Sequence, residues 1–447
     1  MTRRYLLAIV DGGGNVPPEL HVARRLVERG HSVTVLAEDS VADEVRATGA
    51  VLRRWAQAPN RPDRRPEHDL TRDWECRYPW QLVARLVSTV FVGPAERYAR
   101  DVREAMSDTK PDLLVGSMFC LGGMIAAEAA GRPFDVLFPN VYVLPTPGLP
   151  PFGLGLIPAR GALGRWRDSA LNGFTERLWD WHGLAGLNAV RRQHGLGPLD
   201  RFLDQVRRAR RHLVLTSPDF DFPAAFPGSV RYVGPVLDDP VWAQATSWTP
   251  PAGSDPLVLV AMSSTFQDQT DCLQRVLEAL ATLPVRGVLT TGPAIHPSAV
   301  RPPAHVEVVS RAPHQEVLRH ASLVVTHAGH GTVMKALAAG VPLAMLPHGR
   351  DQADTAVRVT TRGAGLVLKR SATPHAIANA IRQLLQRDSF RIAARQLGAA
   401  IRRDANQDLL LQELEAIQPA DIQEGPRSTG AAAQARRGAP GALRRSS

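Results

Sequence analysis

Twice in this chain a short apolar run breaks into a glycine-rich turn that opens an amphipathic stretch. The first run covers residues 5–10 (YLLAIV) and is followed by Gly12, Gly13 and Gly14, then Pro17, Pro18 and helical apolar spacing through Arg29. The second covers residues 323–326 (LVVT) and is followed by His327, Gly329, Gly331 and a helix predicted to begin near Thr332. Apolar runs this short, bounded by turn residues, read as buried strands. Prolines suit the first turn of a helix, where an N–H has no partner to lose. Gly30 can cap the first helix, and residues 32–37 read as the next buried strand. Strand–turn–helix–strand units at this spacing predict parallel α/β sheets.

A chain of 447 residues with 44% hydrophobic and 21% charged residues has room for two such domains. A second series of strands is predicted at 257–262, 287–291, 305–309, 323–326, 343–346 and 365–368, with helices between them and a mostly helical stretch from 372 to 416. Composition shifts at the Pro-, Gly- and Asp-rich residues 236–256, which places a linker there. The expected organisation is therefore a domain at 1–235, the linker, and a domain at 257–417 whose last helices are free to return onto the first. Residues 418–447 are rich in Ala, Gly, Arg, Pro and Ser and predict a disordered tail. The Arg- and Pro-rich residues 52–75 and the Pro- and Gly-rich residues 139–165 read as long loops that shape a pocket.

Several function classes fall away. No apolar run is long enough to span a membrane, and the N-terminal run is too short for a secretory signal. Cys76, Cys120 and Cys272 match no disulfide framework or metal spacing, so neither metal nor cofactor is expected and a reducing cytoplasm is the expected setting. The net charge of +10 is spread along the chain with no aromatic-interleaved basic module, so no nucleic-acid partner is expected. Neither a G-x-S-x-G elbow nor an H-E-x-x-H helix occurs. Trp179 and Trp181 are expected to pack under the first domain, and His21 to be a structural or surface histidine.

Residues 326–366 carry the most chemistry. A strand ends at His327, the backbone turns at Gly329 and Gly331, and Thr332 adds a hydroxyl at a helix N-terminus. Exposed N–H groups at such a terminus attract anions, and glycines let a phosphate approach the backbone. Gly340-Val341-Pro342, Pro347 and Asp351-Gln352 follow at fixed spacing. This string resembles the donor-binding signature of family 1 nucleotide-sugar glycosyltransferases of GT-B fold, and within them the bacterial enzymes that glycosylate macrolides and other natural products.

The resemblance implies an α/β chain of two Rossmann-like domains facing each other across a cleft, with the acceptor on the first and the nucleotide sugar on the second. It implies that His327 and Thr332 contact the diphosphate and that Asp351 and Gln352 bind sugar hydroxyls. Ser264 and Thr265 follow the first strand of the second half, where the family places hydroxyls against the phosphates. Arg311, Ala312, Pro313 and His314 resemble the segment that holds the nucleotide base, with Arg311 in place of a stacking Trp. A guanidinium plane can stack on a pyrimidine; an exposed arginine with no such role is the other reading.

Three positions depart from the family. Its catalytic histidine aligns with Asn15, the aspartate that orients it with Ser117, and the acidic ribose ligand with Lys335. Two readings stay open: Asp11 serves as the base, or the acceptor needs no strong base and Asn15 positions it. The function implied is inverting, metal-independent transfer from a UDP- or TDP-sugar to a small-molecule acceptor, by a monomer or homodimer. A catalytically degenerate donor-binding helper and a nucleotide-sugar epimerase are the alternatives.

Overall fold

The computed structural model describes residues 2–240, 243, 248–262 and 265–418. Ser264 and residues 419–447 of the tail lie outside the described residues. The described chain forms two wholly parallel sheets. The first contains β1 (Arg4–Ala8), β2 (Ser32–Ala37), β3 (Val51–Arg54), β4 (Leu113–Ser117), β5 (Phe134–Phe138), β6 (Arg211–Val214) and β7 (Val230–Tyr232) in the order β3-β2-β1-β4-β5-β6-β7. The second contains β8 (Leu257–Ala261), β9 (Arg286–Thr290), β10 (Val306–Val309), β11 (Ala321–Thr326), β12 (Leu343–Met345) and β13 (Gly365–Val367) in the order β10-β9-β8-β11-β12-β13. Central strands such as β4, β5 and β8 are buried along their whole length, as continuous apolar runs in a helix-covered sheet must be.

In each sheet the order reverses beside the first strand, between β1 and β4 and between β8 and β11. Helices leave to opposite faces at that point and open a crevice at the carboxyl ends of the strands, the place where open α/β sheets bind ligands. The stretch predicted as loop from residue 52 begins as the end of edge strand β3, whose residues are all at least partly exposed.

The C-terminal helices tie the lobes together. The Asp388–Ala405 helix crosses the His330–Ala338 helix so closely that a Cβ on Gly398 would run into the Leu337 carbonyl. The Leu409–Glu415 helix then returns to the first sheet. There Leu410, Leu411 and Leu414 join the cluster of Tyr5, Leu7 and Val33, and the Tyr5 hydroxyl donates to the Leu414 carbonyl at 3.2 Å. Asp408 pairs with Arg25 at 2.8 Å on the same face.

Trp179 packs as expected, stacked on Phe202 with ring centroids 5.5 Å apart. Trp181 does not: it is 85% exposed. Residues two apart point to opposite sides of a helical turn, so burying one exposes the other. No described helix is long and apolar enough to cross a membrane.

The Gly398 contact gives a stability test. Gly398→Ala should lower stability by about 1–3 kcal/mol through overpacking, measured by urea unfolding, because backbone rather than a flexible side chain blocks the added methyl.

Candidate active site between the two switch points

The two crevices face each other. Gly13 has φ +91, and a Cβ there would strike the Thr265 methyl group, so the turn after β1 touches the turn after β8. On the second lobe, β11 ends at Thr326, and the helix starts at His330, two residues earlier than predicted. It starts early because Gly329 takes an extended conformation as N-cap (φ −61, ψ 132). The turn is sharpened by Ala328 at φ +70, a left-handed conformation that costs a non-glycine residue about 1–2 kcal/mol. The His327 ring lies over Gly329, where a Cβ would sit 2.5 Å from Nε2, so a side chain there would push the ring away. Gly331 faces open space and Thr332 is half-exposed, which leaves the helix N-terminus accessible from the cleft.

His327 is 8% exposed. Burial, aided by His348 and Arg350, pushes its pKa down to about 3, against a hydrogen bond to the Ala261 carbonyl that favours the protonated ring. It therefore enters any reaction near neutral pH as a neutral imidazole. Thr265 is buried and its hydroxyl accepts from Arg350 Nη1 at 3.0 Å. Gln352 is spent locally: its carboxamide oxygen accepts from the His348 and Gly349 amides at 2.6 and 3.2 Å, and its nitrogen contacts the Gln267 carboxamide at 2.8 Å. It shapes the turn that presents Asp351. Asp351 stands at the N-cap position of the Gln352–Thr361 helix without a side-chain capping bond. Burial raises its pKa, and the Asn140 side chain from the first lobe reaches it.

Farther out, Arg311 is exposed and His314 half-buried, with its Nε2 3.1 Å from the Thr290 hydroxyl. Lys335 does not stand alone. Its ammonium pairs with Asp239 of the linker at 2.7 Å, and the other Asp239 oxygen accepts from the Gln315 amide at 2.8 Å. A carboxylate thus stands beside Lys335, delivered from a different part of the chain.

Sequence reasoning missed Arg350. Its guanidinium donates to Asp73 at 2.6 and 3.1 Å, to Thr265 and to the Gly12 carbonyl at 3.3 Å, so it bridges both lobes at the mouth of the cleft. The signal available in sequence was its place directly before Asp351-Gln352; the partners are not local. Trp74 adds an edge contact to Phe266 at 5.1 Å beside it.

The family described as UDP-glucoronosyl and UDP-glucosyl transferase matches residues 198–408. The 4'-demethylrebeccamycin synthase of Lentzea aerocolonigenes is 30% identical over 415 residues, 89% of this chain and 95% of that protein. The chain belongs to this glycosyltransferase family. Among solved structures, the glycotransferase of kitacinnamycin superposes with a TM-score of 0.74 at 22% identity, covering 94% of this chain and 99% of that one. The calicheamicin glycosyltransferase CalG4 gives 0.69 at 25% identity, covering 93% and 98%. The fold is thus the GT-B arrangement of two parallel α/β lobes.

On the first lobe of this glycosyltransferase, Asn15 stands at the start of the Val16–Glu28 helix and Ser117 ends β4, 5% and 1% exposed. The Asn15 carboxamide accepts from the Gly12 amide at 2.8 Å and donates to the Val10 carbonyl at 2.9 Å, which locks the glycine turn. Asp11 is committed elsewhere. Its oxygens take the Arg64 guanidinium at 2.8 Å, the Ser40 hydroxyl at 3.1 Å and the Gly13 amide at 2.8 Å. Burial raises its pKa, but Arg64 and Arg61 outweigh that and hold the carboxyl below its ordinary value. A carboxylate so held is a weak base, which argues against Asp11 in that role. His21 sits on the Val16–Glu28 helix against Asp238 at 3.1 Å, away from the turn.

Four imidazoles of the second lobe are held neutral. Burial takes His314, His330 and His348 to about 4, and His327 lower still. Unfolded, such groups bind protons below about pH 6.5; folded, they refuse them until about 4. Their contribution is complete above pH 6.5 and is lost as the pH falls. The melting temperature should therefore drop steeply between pH 6.5 and 4.5 in calorimetry. His330→Gln, which keeps a partner for the Thr216 hydroxyl at 2.9 Å without titrating, should make that slope shallower.

Proposed function

We propose that this glycosyltransferase moves a sugar from a UDP- or TDP-sugar to a small acceptor of natural-product type, with inversion and without a metal ion. The observation that carries the reading is the apposition of the two switch points, with His327, Thr265 and Arg350 on one side and Asn15 on the other. The acceptor class rests on the full-length similarity to a protein named as a rebeccamycin synthase. The three free cysteines, two of them buried, suit a reducing cytoplasm.

The nucleotide sugar is the co-substrate and lies on the second lobe with its diphosphate over the start of the His330–Ala338 helix. The acceptor oxygen, held on the first lobe, attacks the anomeric carbon from the face opposite the diphosphate, and its hydroxyl proton passes to solvent. As the bond to the leaving oxygen breaks, negative charge grows on the diphosphate. The helix amides and the Thr265 hydroxyl are donors already in place, and the neutral His327 ring joins them when its single N–H turns from the Ala261 carbonyl to the diphosphate. One such preorganised donor is worth about 3 kcal/mol. Arg350 stands beside them with the full positive charge that metal-dependent transferases take from an ion. Asp351 supplies acceptors for sugar hydroxyls. Contact between the lobes at Gly13 and Thr265 excludes water that would otherwise hydrolyse the donor.

The missing His–Asp dyad also supports a second reading, a donor-binding helper that performs no transfer. The two separate cleanly. A thermal-shift panel with UDP, TDP and their glucose conjugates should show stabilisation in either case. Turnover with phenol and indole acceptors supports transfer; donor binding without turnover across the panel supports the helper. Given transfer, His327→Ala should reduce kcat at least 100-fold, on the order of one lost oxyanion donor, whereas Asn15→Ala should reduce it only about tenfold. An undiminished rate in the His327 variant refutes the phosphate role. Arg350→Ala should weaken UDP and TDP binding in the same thermal-shift assay.

A further inference from the structure

One buried carboxyl has no structural job. Glu19 lies in the first turn of the Val16–Glu28 helix and is 0% exposed, and neither carboxylate oxygen has a hydrogen-bond partner. A carboxyl in a first helical turn ordinarily faces the free amides or solvent. This one points inward, one turn beyond Asn15, whose carbonyl accepts the Glu19 amide at 3.2 Å. Side chains four apart share one face of a helix. The groups beside the carboxyl are the Asn15 amide and the Ser117 hydroxyl. These are the two positions at which the family's catalytic histidine and its orienting aspartate are replaced.

We propose that Glu19 is the positioning carboxyl of the acceptor site, placed on the helix behind Asn15 instead of on the strand end at Ser117. The inference rests on the transfer reading above. Both neighbours can donate to a carboxylate. Asn15 has a second amide hydrogen beyond the one given to Val10, and Ser117 has its hydroxyl hydrogen. An ionised Glu19 drawing on that hydrogen polarises the Asn15 carboxamide. Its oxygen, already fixed by the Gly12 amide, then has a stronger second lone pair for the incoming acceptor hydroxyl. Glu19 does not touch the acceptor; it acts through Asn15.

Burial pushes the Glu19 pKa up to about 8, with Asn15 and Ser117 pulling it down and Asp11 adding to the rise. The other titratable groups facing this pocket are set far from that range. Cys120, at the start of the Leu121–Ala129 helix, is raised to about 12 by burial, and Asp11 is held ionised by Arg61 and Arg64. Glu19 is thus the group there whose charge changes near pH 8.

The test uses the full chain and Glu19→Gln, which keeps size and hydrogen bonding but cannot ionise. Unfolded, Glu19 loses its proton near pH 4.3; folded, near 8, so the native chain loses stability as the pH rises across that window. The melting temperature of Glu19→Gln relative to the parent should therefore climb from pH 5 to pH 8. A difference that stays constant with pH overturns the buried ionisation and the proposal with it. In transfer from UDP-glucose or TDP-glucose to plain phenol, which ionises near 10, the ratio of the parent kcat to that of Glu19→Gln should rise about tenfold from pH 7 to pH 9. Glu19→Gln should show only the rise that the ionisation of phenol itself gives, with UDP and TDP affinity unchanged. An unaltered pH profile in the variant overturns the positioning role. No turnover by the parent, with the melting shift present, overturns the transfer reading instead.

Discussion

In a sheet whose strands all run one way, every strand-to-helix turn emerges along a single edge, and the helices part only where the strand order reverses. Both sheets reverse beside their first strand, so each lobe has one natural crevice. The rest of the molecule serves to aim these two crevices at each other. The return of the Leu409–Glu415 helix onto the first sheet fixes one side of that arrangement. A buried ion pair fixes another: Arg358 of the Gln352–Thr361 helix meets Asp221 of the first lobe at 2.7 Å, with both side chains under 5% exposed.

Charge is used in two ways across this boundary. Removing one partner of a fully buried pair such as Arg358–Asp221 strands a charge, at about 3–5 kcal/mol, so that contact behaves as a permanent hinge. Arg350–Asp73 is different. Arg350 keeps 26% of its side-chain exposure and already spreads its hydrogens over Thr265 and Gly12. A guanidinium with that much freedom can shift from a carboxylate to a diphosphate at small cost, since one anion replaces another. The arginine-rich loop shows the same economy on the first lobe. Arg61 and Arg64 turn inward to Asp11, Glu38 and Glu44, which converts a stretch that reads as polar surface into a clamp on the glycine turn.

The fold was legible because its signals are local. An apolar run ending in Gly12–Gly14 or in His327–Gly331 predicts strand, turn and helix from a dozen residues, and the spacing to Asp351-Gln352 carries the family. What was not legible depends on distant partners. Asp73 lies 277 positions from Arg350, and Asp239 lies 96 from Lys335. A basic residue where an acidic one is expected reads as a reversed charge until the fold brings a carboxylate to it. Residue type and spacing also do not reveal that the Gln352 carboxamide oxygen, placed by resemblance at the sugar, accepts from the turn before it. Trp181 misled for the opposite reason: an aromatic residue in a helix suggests a core, but its neighbour Trp179 had taken the inward face.

Two positions that break local rules lie at the cleft. Ala328 adopts a conformation that glycine would take without strain, and Glu19 buries a carboxyl without a partner in a helix that would fold better with leucine there. Both lie within one turn of a switch point, on opposite lobes. Rule-breaking residues cost stability wherever they stand, and at these two positions the strained or unpartnered group faces the crevice. By resemblance, Asn15 and Ser117 stand where the family has its histidine and its aspartate, and the role proposed for Glu19 addresses both. Losing an imidazole makes an orienting carboxylate on the neighbouring strand useless, whereas an amide in its place gains from a carboxyl on its own helix. The chain has a serine on the strand and a glutamate on the helix, which is the combination that chemistry favours.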